Sequence, residues 1–233
     1  MNELPDLTNP KSLASYIDHT LLKPDVSKHQ IRKLCEEALE NHFYAVCVNS
    51  WLITACREVL RNTKVQIAAV VGFPLGACES STKSYESNRA FNLGAHEVDM
   101  VINVGAIKSG EHSLVEREIR EVVRTGEGRI VKVILETSLL TNEEKKLVCD
   151  LATNAGAHFV KTSTGFNGGG ATIDDILLMK LAVNSRVRIK ASGGIRTYEV
   201  AKSMIEAGAT RLGTSSGVEI VKNLISSKAD SSY

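Results

Sequence analysis

One lysine ends a short apolar stretch of the sequence, and hydroxyl and glycine residues follow it at once. The stretch is "FVKTSTGFNGG", residues 159–169, and its lysine is Lys161. A strand that buries its side chains gains little from an ammonium group, because a buried unpaired charge is costly. A lysine in such a position is a candidate nucleophile toward carbonyl compounds, provided that it can lose its proton.

Further charged residues occur on neighbouring predicted strands, at the two-residue alternation that places side chains on one face. The grouped residues are Asp99, Val101 and Asn103 in "EVDMVIN", Lys132, Ile134 and Glu136 in "IVKVILE", and Arg188, Lys190 and Ser192 in "VRIKAS". The opposite faces of these strands are apolar and suit packing against helices. We therefore expect the charged faces to point into the interior of the protein or its mouth.

The four residues Asp99, Lys132, Lys161 and Lys190 allow two interpretations. They can form a closed network of ion pairs that only fills the interior. The set has more cations than anions, however, and leaves one lysine without a carboxylate of its own, which favours a reactive site. A lysine crowded by another lysine loses its proton more readily and can then attack a carbonyl carbon.

The elements that must position these residues follow a regular alternation of strands and helices. Strands are predicted at 16–22, 44–48, 66–72, 97–103, 130–136, 158–163, 187–192 and 210–215, and helices at 27–41, 51–61, 82–93, 113–125, 141–154, 173–184 and 198–207. This order predicts a single-domain α/β protein, a (β/α)8 TIM barrel over residues 1–226 with a polar tail at 227–233. A doubly wound open sheet stays the alternative, since strand order cannot be read from the sequence.

Two glycine-containing segments predict a phosphate site. "SGGIR", residues 192–196, follows the seventh predicted strand, "GTSSG", residues 213–217, follows the eighth, and each leads into a helix. Glycine lets backbone N–H groups approach an anion, and the start of a helix adds a favourable dipole. The loops after strands seven and eight are where barrels of this class commonly bind phosphate.

The composition argues against several classes of partner. The chain has 233 residues, 28 basic and 27 acidic, for a formal net charge of +1. This balance indicates neither a nucleic acid nor an anionic membrane as partner. The five cysteines form no CxxC pair, so they predict neither a disulfide framework nor a zinc cluster. With a polar start and no apolar run near roughly 18 residues, we expect a cytoplasmic protein.

Over almost its whole length, the sequence resembles the deoxyribose-phosphate aldolase family. Members of this family are class I aldolases. The matching segments, in order, are "IDHTLLKP", "AVCVN", "VVGFPLGA", "EVDMVINVG", "VKVILET", "FVKTSTGF", "IKASGGIR" and "RLGTSSG". The resemblance implies reversible cleavage of 2-deoxy-D-ribose 5-phosphate to acetaldehyde and D-glyceraldehyde 3-phosphate. It implies no cofactor and no metal, small phosphosugar and aldehyde substrates, and a subunit number left open, with a homodimer or homotetramer as candidates.

The resemblance also implies roles for individual residues. Lys161 corresponds to the Schiff-base lysine, Lys190 to a second lysine that perturbs it and transfers protons, and Asp99 to the acid/base carboxylate. Lys132 resembles a polar partner that links the group, and it is also expected among the substrate-binding residues. Asp99 and Glu136 would oppose proton loss if either paired with Lys161, so we expect both to lie nearer Lys190 or Lys132.

The substrate-binding residues are carried over less directly, because Phe166 stands where some family members have a lysine suited to the substrate phosphate. The expected set comprises Asp18 for a substrate hydroxyl together with Thr164, Gly165, Gly193, Gly194, Gly213, Ser215 and Ser216. Two further residues are open. Cys47 fits core packing, within reach of reactive aldehydes, and Tyr233 fits either a terminal residue that reaches the site or a disordered tail.

Two rival functions remain at this point. A barrel phosphosugar isomerase or epimerase would share the phosphate loops, but it needs a carboxylate or histidine base and no nucleophilic lysine. A non-catalytic protein that binds sugar phosphates would keep the loops and have no need to pair Lys161 with Lys190. Reduction by borohydride in the presence of acetaldehyde separates the three.

Overall fold

The strands form one closed parallel barrel in chain order. The computed structural model describes residues 5–224, and within them β8 returns to pair with β1, so the predicted TIM barrel is confirmed and the open sheet is excluded. The strands are β1 Ile17–Leu21, β2 Ala45–Val48, β3 Gln66–Val71, β4 Glu97–Val101, β5 Ile130–Ile134, β6 Phe159–Lys161, β7 Arg188–Ser192 and β8 Arg211–Thr214.

Helices surround the barrel and connect each strand to the next. They are α1 Lys28–Glu40, α2 Ile53–Leu60, α3 Ser80–Leu93, α4 Val104–Lys108, α5 His112–Thr125, α6 Asn142–Asn154, α7 Ile173–Ala182, α8 Tyr198–Ala207 and α9 Gly217–Val221. Short 3-10 helices cover Pro10–Tyr16, Ser50–Leu52 and Thr137–Leu139. The sequence pattern did not predict α4, which is only five residues long and therefore too short to show a helical period.

Local signals in the sequence explain where the longer helices begin. Ser27 and Gln30 form a capping box at the start of α1, and Thr141 and Glu144 form another at the start of α6. Each box satisfies backbone N–H groups that have no partner inside the helix. Because these contacts are local, they hold the helix starts independently of the barrel.

The core has two parts. The main core lies between the outward faces of the strands and the helices, where side chains such as Val133 and Ile119 are fully buried. A smaller apolar cluster of Leu22, Cys47 and Val70 packs separately from the main core.

Among the described residues, no helix is long and apolar enough to cross a membrane. The predicted tail at 227–233 lies outside the described residues.

Candidate active site

A carboxylate at the centre of the barrel contacts three lysines. Oδ1 of Asp99 accepts a hydrogen bond from Lys132 at 2.6 Å, and Oδ2 accepts from Lys161 at 2.9 Å and from Lys190 at 2.8 Å. The strand register produces this arrangement, since Asp99 is level with Lys132 across β4 and β5, and Lys161 is level with Lys190 across β6 and β7. Asp99, Lys132 and Lys190, which alternation placed on strand faces, therefore form one cluster with Lys161.

A second layer of charges supports the first. Asp18 accepts from Lys190 and, through Oδ1, from Arg211 at 2.9 Å. Glu97 lies 2.6 Å from Lys132 and accepts from Arg211 at 3.2 Å. Asp18, which was expected to position a substrate hydroxyl, thus has both of its oxygens engaged by cations. This is an extended network, with every charged group in contact with at least one group of opposite sign.

Cations outnumber anions in this network. Counted over the described residues, Lys132, Lys161, Lys190 and Arg211 face three carboxylates, those of Asp18, Glu97 and Asp99. The predicted excess of cations is therefore present. A surplus charge in a buried site favours the loss of one proton from a lysine, because neutralisation removes the unbalanced charge.

The network shifts the ionisation of its members in a consistent direction. Burial alone would raise the pKa of Asp99, but Lys132, Lys161 and Lys190 outweigh it and hold that pKa well below its ordinary value. Burial opposes the charged form of Lys190, yet Asp18 and Asp99 raise the pKa of Lys190 above its ordinary value. Asp99 is therefore a carboxylate and Lys190 an ammonium at neutral pH.

Lys161 differs from its neighbours in position and in partners. It is the last residue of β6, and 3% of it is exposed, whereas Lys132 and Lys190 are completely buried. Its single ion pair with a described residue is the one to Asp99, while Lys190 has two carboxylates. Lys161 is thus the lysine at the mouth end of the cluster with the least electrostatic support for its charge.

By distance Asp99 lies slightly nearer Lys132 and Lys190 than Lys161, as expected, but it also pairs with Lys161, and Glu136 contacts none of the three lysines. Asp99 does not avoid Lys161, because its Oδ2 lies between Lys161 and Lys190 and serves both. The expectation for Glu136 was wrong, because it approaches neither Lys190 nor Lys132. Its backbone turns into the left-handed region at φ 58°, and its carboxylate accepts from Thr164 N at 3.2 Å and Asn167 Nδ2 at 2.8 Å. Glu136 therefore organises the loop after β6.

Apolar side chains lie close to the lysines. Cys47 is fully buried with Leu22 and Val70, and its thiol is close enough to Asp99, Lys190 and Lys161 to be affected by their charges. Burial, followed by Asp99, raises the pKa of that thiol, so Cys47 is neutral. Phe166 packs edge-on against Phe73 with ring centroids 5.2 Å apart, and both rings pack against this cluster.

The predicted phosphate loops meet at the same end of the barrel. Gly193 and Gly194 adopt φ of 89° and 75°, which disfavours other residues, and a Cβ added to Gly194 would meet no atom within 4 Å. The loop after β6 touches the loop after β7, since Ala171 N donates to Gly193 O at 3.0 Å. After β8, Ser216 begins α9, and its buried Oγ has no hydrogen-bond partner among the described residues.

Other predicted residues have structural contacts or lie outside the structure. Thr164 is buried, and its backbone N–H donates a hydrogen bond to Glu136. Gly165 has φ 86°. Gly213 lies so close to the stem of Lys190 that a Cβ added to this glycine would be 3.0 Å from Cε of the lysine. Ser215 lies beside the short helix α9, whereas Tyr233 is outside the described residues.

In residues 5–224, no group of three or more His, Cys, Asp or Glu side chains could hold a metal ion.

Sequence reasoning missed two members of the network, Glu97 and Arg211. Glu97 lies two residues before Asp99 on β4, so the same alternation could have included it. Arg211 lies two residues before Gly213 on β8, and its guanidinium also stacks 3.4 Å from the centre of the Tyr44 ring. For Glu97 the available signal was a second charge two residues away on the same strand face; no such signal marked Arg211, whose neighbour on that face is Gly213.

A closed parallel barrel with paired lysines and a shared aspartate at its centre has the features of an aldolase that works through an imine. Residues 12–223 match the DeoC/LacD family of aldolases, and the chain belongs to this family. The predicted resemblance and the prediction that the chain is an aldolase are confirmed.

Relatives match over nearly their whole length. The chain is 54% identical to deoxyribose-phosphate aldolase of Bdellovibrio bacteriovorus over 210 residues, which is 90% of this chain and 96% of that protein. It is 54% identical to deoxyribose-phosphate aldolase 1 of Bacillus licheniformis over 224 residues, 96% and 99% of the two chains. The tetrameric deoxyribose phosphate aldolase from Aeropyrum pernix superposes with a TM-score of 0.85 at 32% identity, covering 92% of each chain.

Proposed function

We propose that this chain catalyses the reversible cleavage of 2-deoxy-D-ribose 5-phosphate to acetaldehyde and D-glyceraldehyde 3-phosphate through an imine on Lys161. The observation that carries the proposal is the pair Lys161 and Lys190 on one oxygen of Asp99, in a chain 54% identical to named deoxyribose-phosphate aldolases. An isomerase or a binding protein would have no use for this pair.

The two lysines have different tasks in this proposal. Lys190 has two carboxylate partners, which raise its pKa, so it stays positively charged and donates protons. Lys161 shares its one described carboxylate with two other lysines, so its charge has the least electrostatic support of the three. The neutral amine of Lys161 is the nucleophile.

Cleavage then proceeds by proton transfers around Lys161. The amine attacks C1 of the open-chain sugar, and the carbinolamine loses water to form a protonated imine. Asp99, directly or through one water, accepts the proton of the C3 hydroxyl, and the C2–C3 bond breaks. Its electrons move into the imine to form an enamine, and C3 leaves as the aldehyde carbon of D-glyceraldehyde 3-phosphate. Protonation at C2, with Lys190 as the proton source, and hydrolysis release acetaldehyde and return Lys161.

The surroundings suit the two ends of this substrate. Cys47, Leu22 and Val70 offer an apolar surface to the C2 methylene group, which carries no hydroxyl. The backbone of Gly193 and Gly194, together with Ser216, is proposed to hold the phosphate, and Ser216 Oγ is a buried polar atom that lacks a described partner. A homodimer or homotetramer in the cytoplasm stays a prediction for this chain.

Borohydride trapping tests the proposal directly. Acetaldehyde and borohydride should add one ethyl group to Lys161, located by peptide mass spectrometry, and abolish turnover, because only an imine is reduced to a stable secondary amine. Lys161→Arg should remain folded by circular dichroism but show neither label nor activity. Labelling of another residue, or cleavage of deoxyribose 5-phosphate by Lys161→Arg, would exclude Lys161 as the nucleophile.

A further inference from the structure

A polar cavity lies at the end of the barrel opposite to Lys161. Its volume is about 560 Å³. It is formed by the turns that lead into β3, β4 and β5, whereas Lys161 is at the carboxyl end of β6. The lining residues are Arg57, Leu60, Arg61, Asn62, Thr63, Val65, Ile67, Phe91, Asn92, Gly94, Ala95, His96 and Arg129.

The cavity concentrates positive charge in a chain that is otherwise almost neutral. Arg57, Arg61 and Arg129 line it, and no carboxylate of the described residues does. Within residues 5–224, the guanidinium groups of Arg57 and Arg61 form neither a hydrogen bond nor an ion pair. Arg129 donates from Nε to Gly126 O at 2.8 Å and has only a long contact, 3.7 Å, with the exposed carboxylate of Glu127. Most of the donor capacity of the three guanidinium groups is therefore available to a ligand.

Two of the arginines are held in place by packing, Arg129 through its guanidinium group and Arg57 through its aliphatic stem. The guanidinium of Arg129 stacks 4.2 Å from the centre of the Phe91 ring. The stem of Arg57 lies against Gly94, where an added Cβ would come within 2.9 Å of Arg57 Cδ. Such contacts reduce the conformational entropy that a side chain loses on binding.

His96 adds a neutral donor to the cavity. Its Nδ1 accepts the backbone N–H of Ile67 at 2.9 Å, so the proton of the neutral ring is on Nε2. Burial lowers the pKa of His96, which keeps the ring neutral near pH 7. The Nε2–H group can therefore donate to an anion, as can the side-chain amide of Asn62.

We propose that this cavity is a binding site for a linear di- or triphosphate anion, as found in inorganic polyphosphates and at the phosphate end of nucleotides. Guanidinium groups bind phosphate oxygens in a planar, two-pronged geometry. Three arginines with no lining carboxylate match an anion of three or more charges better than a single phosphate. The volume falls within the range of about 300–1,000 Å³ that is typical of small-molecule sites.

Isothermal titration calorimetry on the full chain, at low salt and without divalent metal, tests this site. Tripolyphosphate should bind at this cavity at least about tenfold more tightly than orthophosphate, because each further charge-assisted hydrogen bond adds affinity. If ADP binds with the same affinity as pyrophosphate, the site recognises only the phosphates. If ADP binds more tightly than pyrophosphate, the ligand is a nucleotide. Failure of tripolyphosphate to bind would overturn the proposal.

Matched double variants locate the binding. Arg57→Gln with Arg61→Gln should weaken tripolyphosphate binding by roughly tenfold or more, with turnover in the absence of the probe unchanged. Arg117→Gln with Arg124→Gln, on α5, removes the same charge beside Glu116 and Glu121 and should have little effect. Equal losses in both double variants would indicate a general charge effect and overturn the site. Hydrogen exchange should slow at residues 57–65 and 94–96, and slowing only at 193–194 and 213–216 would also overturn it.

Discussion

Lys161 and Lys190 are level with each other across β6 and β7, and their ammonium nitrogens share one acceptor, Oδ2 of Asp99, at 2.9 and 2.8 Å. Two like charges at such a short separation repel each other, and the repulsion is relieved when one of them becomes neutral. Because Asp18 also binds Lys190, the charge of Lys190 is supported by two carboxylates, whereas that of Lys161 is supported, among the described residues, by the shared Asp99 alone.

Replacing Lys190 by Met should make Lys161 harder to deprotonate. The variant removes the repelling charge and leaves in place the carboxylate of Asp99, which accepts from Lys161. The pH at which imine formation rises should move upward by about one to two units, from the repulsion of charges about 5 Å apart at an effective dielectric near 20. Borohydride trapping of acetaldehyde across a pH series measures this rise, with exposed Lys64→Met as the control. An unchanged profile would mean that the two lysines are not coupled.

The contribution of Asp99 to stability can be separated from its contribution to catalysis with two variants. One is Asp99→Asn alone, and the other adds Lys132→Met to it. The single variant leaves three buried lysines with one carboxylate fewer, which should cost about 3–5 kcal/mol of unfolding free energy. Turnover should fall by roughly 10²–10⁴-fold through loss of the acid/base group. Adding Lys132→Met restores the balance of charge, so most of the stability in urea unfolding should return without activity. Recovery of activity with stability would reduce Asp99 to a structural role.

The stability of the fold should decrease in acid through Asp18. Burial alone would raise the pKa of Asp18, but Lys190, Arg211 and Lys132 hold it at about 2, below the ordinary 3.8. A lowered carboxylate pKa stabilises the folded state above the unfolded value, so about 2 kcal/mol should be lost as the pH falls from about 4 to about 2. Urea unfolding of Asp18→Asn should show a flatter dependence in this window than the parent chain. The exposed Asp150→Asn should retain the parent slope, and a parallel curve for Asp18→Asn would contradict the assignment.

A valine at Gly194 should affect the phosphorylated substrate selectively. The residue has φ 75°, and its missing side chain would extend into open space beside the proposed phosphate site. Gly194→Val should therefore raise the KM for deoxyribose 5-phosphate far more than that for deoxyribose. Gly128→Val is a matched control, since Gly128 also has a positive φ, 90°, and open space but precedes β5 at the other end of the barrel. Equal changes on both substrates would place the phosphate elsewhere.

The sequence by itself determined the alternation of strands and helices and the chemistry of the catalytic strands. Period-two alternation separated Lys132 and Lys190 from their apolar neighbours, because the direction of a side chain on a strand depends on local backbone geometry. The capping box of Thr141 and Glu144 was readable for the same reason. Such features involve residues only a few positions apart.

Only the tertiary structure decided which charges meet. Lys190 pairs with Asp18 across 172 residues of sequence, and Arg211 joins Asp18 across 193, so no local pattern contains either contact. The backbone of Glu136 adopts a left-handed conformation, which cannot be predicted from a glutamate in the sequence, and its carboxylate contacts Thr164 and Asn167 instead of the lysines. Closure of β8 onto β1 sets the register, and the register determines which buried cations share which carboxylate.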